Sequence, residues 1–100
     1  MDVKDEEAAR IREIDAAQKA RDLLENEYVD SLIRAMKVEA EQEFLSVPPS
    51  DHHAFIAAQQ KYKALADLVG RLRQDVQTGE MAKTQLQKMR EAVKQWRKTG

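Results

Sequence analysis

Two adjacent histidines, His52 and His53, are the side chains of this 100-residue chain that a metal site would most readily use. They lie in the stretch SVPPSDHHAF, directly after Asp51. Neighbouring residues on a helix point about 100° apart, so the two rings cannot bind one ion, and a helical metal pair needs residues three or four apart. Those positions are apolar here. We therefore expect exposed histidines in the first turn of a helix, with no metal and no cofactor bound.

The residue types that enzymes use as nucleophiles or acid–base groups do not stand in catalytic contexts. The chain has no cysteine, and its serines, at positions 31, 46 and 50, are not in a nucleophile-elbow motif. No glycine-rich phosphate loop occurs, and the carboxylates follow patterns typical of solvated helix faces. We expect no catalytic residues and no enzymatic activity.

The C-terminal segment carries the strongest binding signal. On a helical wheel, four cations fall within about 60° of one another beside an apolar stripe. Such a helix suits an acidic protein surface, a nucleic-acid backbone or an anionic membrane, and tryptophan is a typical interface anchor. The same pattern is typical of a stripe packed within its own chain. The cations are Lys83, Arg90, Lys94 and Arg97, and the predicted interface residues are Leu86, Met89, Val93 and Trp96.

Charge is unevenly distributed along a chain whose formal net charge is −1. Residues 1–50 carry thirteen acids and seven bases, whereas residues 51–100 carry five acids and ten bases. The two halves can neutralise each other if the chain folds back on itself or pairs head to tail with a copy. Charge alone therefore predicts self-complementarity, within one chain or between chains.

The elements that must position these residues are helices. With 35% charged residues and only five aromatics, the composition is typical of long surface helices in one domain, residues 1–100. No run approaches the roughly 20 apolar residues of a membrane span, and the acidic N-terminus does not resemble a signal peptide, so we expect a cytoplasmic protein without membrane contact.

Prolines and helix-capping residues divide the chain into helical segments. The double proline predicts a corner at 47–50, since helices do not run through it, and Ser50 or Asp51 can cap the next helix. Asn26 can cap a helix at 27–46, which leaves a charged N-terminal segment at 1–25. Beyond the corner we expect a long helix at 51–78 and a basic helix at 80–98. The resulting fold class is all-α, an antiparallel helical hairpin or a small helical bundle with coiled-coil-like packing.

Apolar spacing supports this division and raises one question. After the corner, apolar residues recur at steps of three and four, and beyond Gly79 the stripe continues in a shifted frame. Either a helix ends there or it continues with local overwinding. The roughly 1 kcal/mol cost of glycine in a helix favours a break or kink. The seam residues are Phe55, Ala58, Tyr62, Leu65, Val69, Leu72 and Val76.

The succession ARDLLENEYVDSLI, a proline-containing corner and KALADLVGRLRQDVQTGEMAK resembles small all-helical proteins encoded among the head and packaging genes of tailed bacteriophages. The resemblance spans Ala20 to Lys83, and the chain departs from the pattern at Glu27, where a proline or small apolar residue is expected. It carries no catalytic or binding residues. It implies a virion-associated or assembly role in host cytoplasm, with the protein present in repeated copies.

Three function classes follow from these observations. The first is a structural or assembly protein, a self-associating helical module that works as a homo-oligomer among other protein subunits. The second is a nucleic-acid-binding packaging adaptor that uses the basic C-terminal face. The third is a small helical regulator of one protein partner.

Overall fold

The chain folds into three α-helices. The structure is a computed structural model that describes residues 2–99, and these contain no strand. Helix α1 is Val3–Glu25, α2 is Glu27–Ser46 and α3 is His52–Thr99. The predicted all-α fold class is confirmed.

A single residue separates α1 from α2. Asn26 has an extended backbone conformation, with φ −74° and ψ 120°. Its side-chain oxygen accepts a hydrogen bond from the Val29 amide at 3.0 Å, which satisfies one of the free donors at the start of a helix. The predicted cap and the predicted start of α2 at Glu27 are both confirmed.

The double proline forms the second boundary. Helix α2 ends at Ser46, and Val47 has an extended backbone conformation, with φ −72° and ψ 127°. The Asp51 amide then donates to the Pro48 carbonyl at 3.0 Å. One Asp51 carboxylate oxygen accepts from the Ala54 amide at 3.1 Å, so α3 restarts at once, at His52.

Helix α3 runs without interruption through Gly79, and the expected division into helices at 51–78 and 80–98 is wrong. The open alternative, one continuous helix across the frame shift, is the one observed. Gly79 is buried, and a Cβ added to it would lie 2.1 Å from the Cβ of Ala17 and 3.1 Å from the Glu13 carbonyl oxygen. Close packing of α1 therefore offsets the cost of a glycine in mid-helix, and the absent side chain serves packing rather than a break.

Contacts divide the chain into two units. One unit joins the residues up to Arg21 with those from Leu72 onward, and the other is Asp22–Arg71. Within the first, α1 runs antiparallel to α3, because Glu7 pairs with Arg90 whereas Arg21 pairs with Glu80. Helix α3 contributes to both units, and the expectation of one domain at 1–100 stays a prediction.

The second unit is also an antiparallel helical hairpin. Near the corner, the rings of Phe44 and Phe55 lie 5.0 Å apart between centroids. One turn further from the corner, Lys61 Nζ lies 2.9 Å from a Glu43 carboxylate oxygen. A tilted aromatic pair and an ion pair therefore hold the end of α2 against the start of α3.

The core of the described chain is small and rich in alanine. Only part of the predicted seam belongs to it: Ala58 and Leu65 are buried, whereas Phe55 and Tyr62 are exposed. A contact between two helices covers one narrow stripe on each, so longer side chains at its edges reach solvent. The buried apolar residues are Ala17, Ala20, Ala40, Ala58, Leu65, Ala82 and Leu86.

The close approach at Gly79 generates a first prediction. Gly79→Ala should lower the free energy of unfolding by about 1–2 kcal/mol, because overpacking of the contact with α1 outweighs the gain in helix propensity. Gly70→Ala is the matched control, since a Cβ there meets nothing within 4 Å. It should raise the free energy of unfolding by about 0.5–1 kcal/mol. Urea unfolding followed by circular dichroism measures both.

A double variant locates the effect. Ala17→Gly removes the nearest atom to the added Cβ, so Ala17→Gly/Gly79→Ala should be more stable than the sum of the single changes predicts. A coupling free energy of about 0.5–3 kcal/mol is the expected range for side chains in contact. Equal stabilisation by alanine at both glycines, without coupling, would show that α1 does not lie this close to α3.

The partly buried seam generates a second prediction. Leu65→Ala should cost about 2–3 kcal/mol, because Leu65 is buried between α2 and α3. Leu68→Ala, one turn along the same helix at an exposed position, should change the stability by less than about 0.5 kcal/mol. Equal melting temperatures for the two variants would place the core on another face of α3.

Candidate functional site

The predicted interface stripe on α3 becomes more exposed toward its C-terminal end. Leu86 is 7% exposed and Met89 is half-buried, whereas Val93 is 40% and Trp96 is 75% exposed. Helix α1 begins at Val3 and runs antiparallel, so it covers the first two of these residues and leaves the last two open. The stripe is thus divided into an internal part and an exposed part.

Leu86 therefore belongs to the core between α1 and α3 and is largely covered by α1. Met89 lines a groove with Val3 and Val93, of about 310 Å³, at the open end of the same contact. Val93 and Trp96 remain candidates for an interface, because a large exposed aromatic is a typical anchor of protein–protein contacts.

The four predicted basic residues are brought to one side of α3, but two of them make ion pairs within the chain. An Arg90 guanidinium nitrogen lies 3.4 Å from a Glu7 carboxylate oxygen. Lys83 Nζ lies 3.9 Å from a Glu80 carboxylate oxygen. Lys94 and Arg97 line the groove beside Met89.

Sequence reasoning left Lys98 out of the basic set. Lys98 and Arg97 form the last turn of α3, where the helix dipole favours cations. We call Lys94, Trp96, Arg97 and Lys98 the basic tip. No ion pair joins its three cations to another residue of the described chain.

A second exposed apolar site lies at the other hairpin and was missed by sequence reasoning. It is a groove of about 390 Å³ near the corner between α2 and α3. Its most exposed member, Leu45, is 81% exposed and directly follows Phe44, about 100° away from the stripe that faces α3. An apolar residue outside the packing stripe was the available signal. We call this site the corner groove, and it is lined by Glu41, Phe44, Leu45, Gln59 and Tyr62.

Glu41 lines the corner groove, whereas Glu39 and Glu43 line a different groove between α2 and α3. Glu39, Glu41 and Glu43 lie in the last two turns of α2, and its last turn holds no basic residue. Carboxylates at this end of a helix oppose the helix dipole, which is negative there. Only Glu43 is matched, by Lys61 at 2.9 Å, and no ion pair joins Glu39 or Glu41 to another described residue.

His52 and His53 are exposed in the first turn of α3. Among residues 2–99, no group of three or more His, Cys, Asp or Glu side chains is arranged to hold a metal ion. None of the three helices, over the same residues, is long and apolar enough to cross a membrane.

No protein-family model, curated protein or solved structure matches the chain. Inference about its function therefore depends on the exposed surfaces themselves, which are the basic tip and the corner groove.

The division of the stripe generates a third prediction. Leu86→Ala should cost about 2–3 kcal/mol of folding free energy, since it removes one of the few large buried side chains. Trp96→Ser should change the stability of the single chain by less than about 0.5 kcal/mol, because the side chain is mostly in solvent. Urea unfolding at low micromolar concentration separates folding from association. Greater destabilisation by Trp96→Ser would place Trp96 in an internal core.

Proposed function

We propose that this chain is a self-associating helical module with a structural or assembly role. The observation that carries the proposal is the imbalance between buried and exposed apolar side chains. In the described chain, five of the seven buried apolar residues are alanine, whereas sixteen large apolar side chains are exposed. Exposed apolar surface that is gathered into patches usually marks an interface.

The charge of the two units supports a second copy as the partner. Residues 1–21 and 72–100 carry twelve bases and nine acids, and residues 22–71 carry five bases and nine acids. The units therefore have net charges of +3 and −4. Unlike units on two copies attract each other, whereas like units repel, so charge favours a head-to-tail orientation.

The setting of this role rests on the resemblance of Ala20 to Lys83 to small proteins of tailed-phage head and packaging genes. On that ground we place the module in a virion or a packaging assembly in host cytoplasm, beside other protein subunits. The role uses binding surfaces and requires no catalytic residue or cofactor.

A nucleic-acid-binding packaging adaptor is the second candidate. It is supported by the net positive charge of one unit and by the exposed cations at the end of α3. It is weakened because Arg90 and Lys83 already pair with carboxylates of the same chain. The duplex backbone would have to displace those carboxylates, which reduces the number of phosphates that the protein neutralises.

Sedimentation equilibrium tests the proposal as a fourth prediction. Between about 5 and 500 µM, the mean mass should rise above that of one 11.5 kDa chain, because exposed apolar surface is buried between copies. Added salt should weaken the association, since the units attract through opposite charge. A constant mass of one chain over this range contradicts self-association and favours the third function class, a small helical regulator of one protein partner.

The same measurement in the presence of duplex DNA distinguishes the self-associating module from the second candidate, the packaging adaptor. Co-sedimentation that falls steeply with salt, with no self-association in the absence of DNA, would support the packaging adaptor. Lys94→Glu/Lys98→Glu is the matched variant, because it reverses two cations that pair with no described residue. A self-associating module that ignores DNA should be found at the same mass with and without the duplex.

A further inference from the structure

The basic tip and the corner groove both expose apolar side chains, and their charges are opposite. This complementarity identifies the two surfaces that meet in the interface. We propose that the basic tip of one copy docks in the corner groove of a second copy. This inference rests on the proposed self-association and goes beyond it by assigning both surfaces. The occupant of the groove is the end of α3, and Trp96 is its anchor.

The apolar parts of the two sites match. The corner groove presents two aromatic rings and Leu45, and its volume of about 390 Å³ is open to solvent. Trp96, 75% exposed, offers the largest aromatic side chain, and an aromatic of this kind buries about 150–250 Å².

The charges match as well. The corner groove contains Glu41, which no ion pair joins to another described residue, and it lies near the negative end of the α2 helix dipole. The basic tip supplies three cations within five positions of α3. The helix dipole of α3 accounts for cations in its last turn, but it does not account for a tryptophan placed among them. A partner surface that is apolar and acidic accounts for both.

Magnitudes separate what each part contributes. Exposed ion pairs contribute little to affinity, whereas a buried tryptophan anchor typically accounts for a large share of it. Trp96 should therefore supply most of the affinity, and the pairing of Arg97, which is about 100° from Trp96 on the helix, with Glu41 should select the orientation. One such contact is small, so the association should be weak and concentration-dependent.

The contact joins unlike surfaces, which gives it a distinctive signature. Each copy carries one basic tip and one corner groove, so the interface is heterologous. A copy that has lost its tip still offers a groove, and a copy that has lost its groove still offers a tip. Two variants that cannot associate alone should therefore associate with each other.

This signature defines the experiment, which uses the full chain. Trp96→Ser removes the anchor and Leu45→Ser alters the groove at a residue that is 81% exposed, so neither should change the helix content by circular dichroism. By sedimentation, each variant alone should self-associate at least about tenfold more weakly than the unmodified chain. An equimolar mixture should recover one-to-one association. Tyr28→Ser, at an exposed position outside both sites, is the control and should leave self-association unchanged.

Charge reversal tests the orientation. Glu41→Lys and Arg97→Glu should each weaken self-association, and an equimolar mixture of the two single variants should recover it, because the altered groove meets the altered tip and the unaltered groove meets the unaltered tip. The double variant Glu41→Lys/Arg97→Glu should recover association, because opposite charges face each other again.

The outcomes distinguish this inference from the proposed function. If the unmodified chain self-associates and Trp96→Ser and Leu45→Ser both leave its affinity unchanged, the inference is overturned while self-association stands. If both variants weaken the association and their mixture recovers nothing, the contact is not heterologous and the inference is overturned as well. If the unmodified chain is monomeric, the proposed function itself is contradicted.

Discussion

The contact between Ala17 and Gly79 is the constraint on which the first unit depends. Because Gly79 has no side chain, the Ala17 methyl group occupies the space where its Cβ would lie. Ala20 and Ala82 are also buried, so α1 and α3 approach each other through small residues. At this separation longer side chains at the edges can reach across, as Arg10 does when it donates to the Gln85 side chain at 2.6 Å. Close backbone approach thus determines both the packing and the polar contacts beside it.

This mode of packing limits how much apolar area the chain buries. Alanine contributes little area, and Leu65 and Leu86 are the only larger side chains among the buried residues of the described chain. The hydrophobic contribution to folding scales with buried apolar area, so each two-helix contact stabilises its unit modestly. A partner that covered exposed apolar side chains would therefore add to the stability of the chain.

Local energetic preferences are violated at the surfaces assigned to binding. Glutamates lie near the C-terminal end of α2, where the helix dipole disfavours negative charge. Leu45 and Trp96 are exposed at helix positions where a polar side chain would interact better with water. The capping residues Asn26 and Asp51, in contrast, agree with local structure. Sites where a sequence departs from its own local rules are expected to be functional, and the two surfaces proposed for binding are among such sites.

The sequence by itself determined where α1, α2 and α3 are separated, because capping and proline effects act over a few residues. Asn26, the double proline and Asp51 each end or begin a helix where their chemistry requires it. It also identified the apolar stripes and the basic side of α3. Only the tertiary structure decided that α3 passes through Gly79, since the reason lies on α1, more than fifty positions away in the chain. It also decided that Leu86 is internal, that Trp96 is exposed and that Leu45 lines a groove. Periodicity shows which residues share a face, but burial depends on how far the neighbouring helix extends along that face.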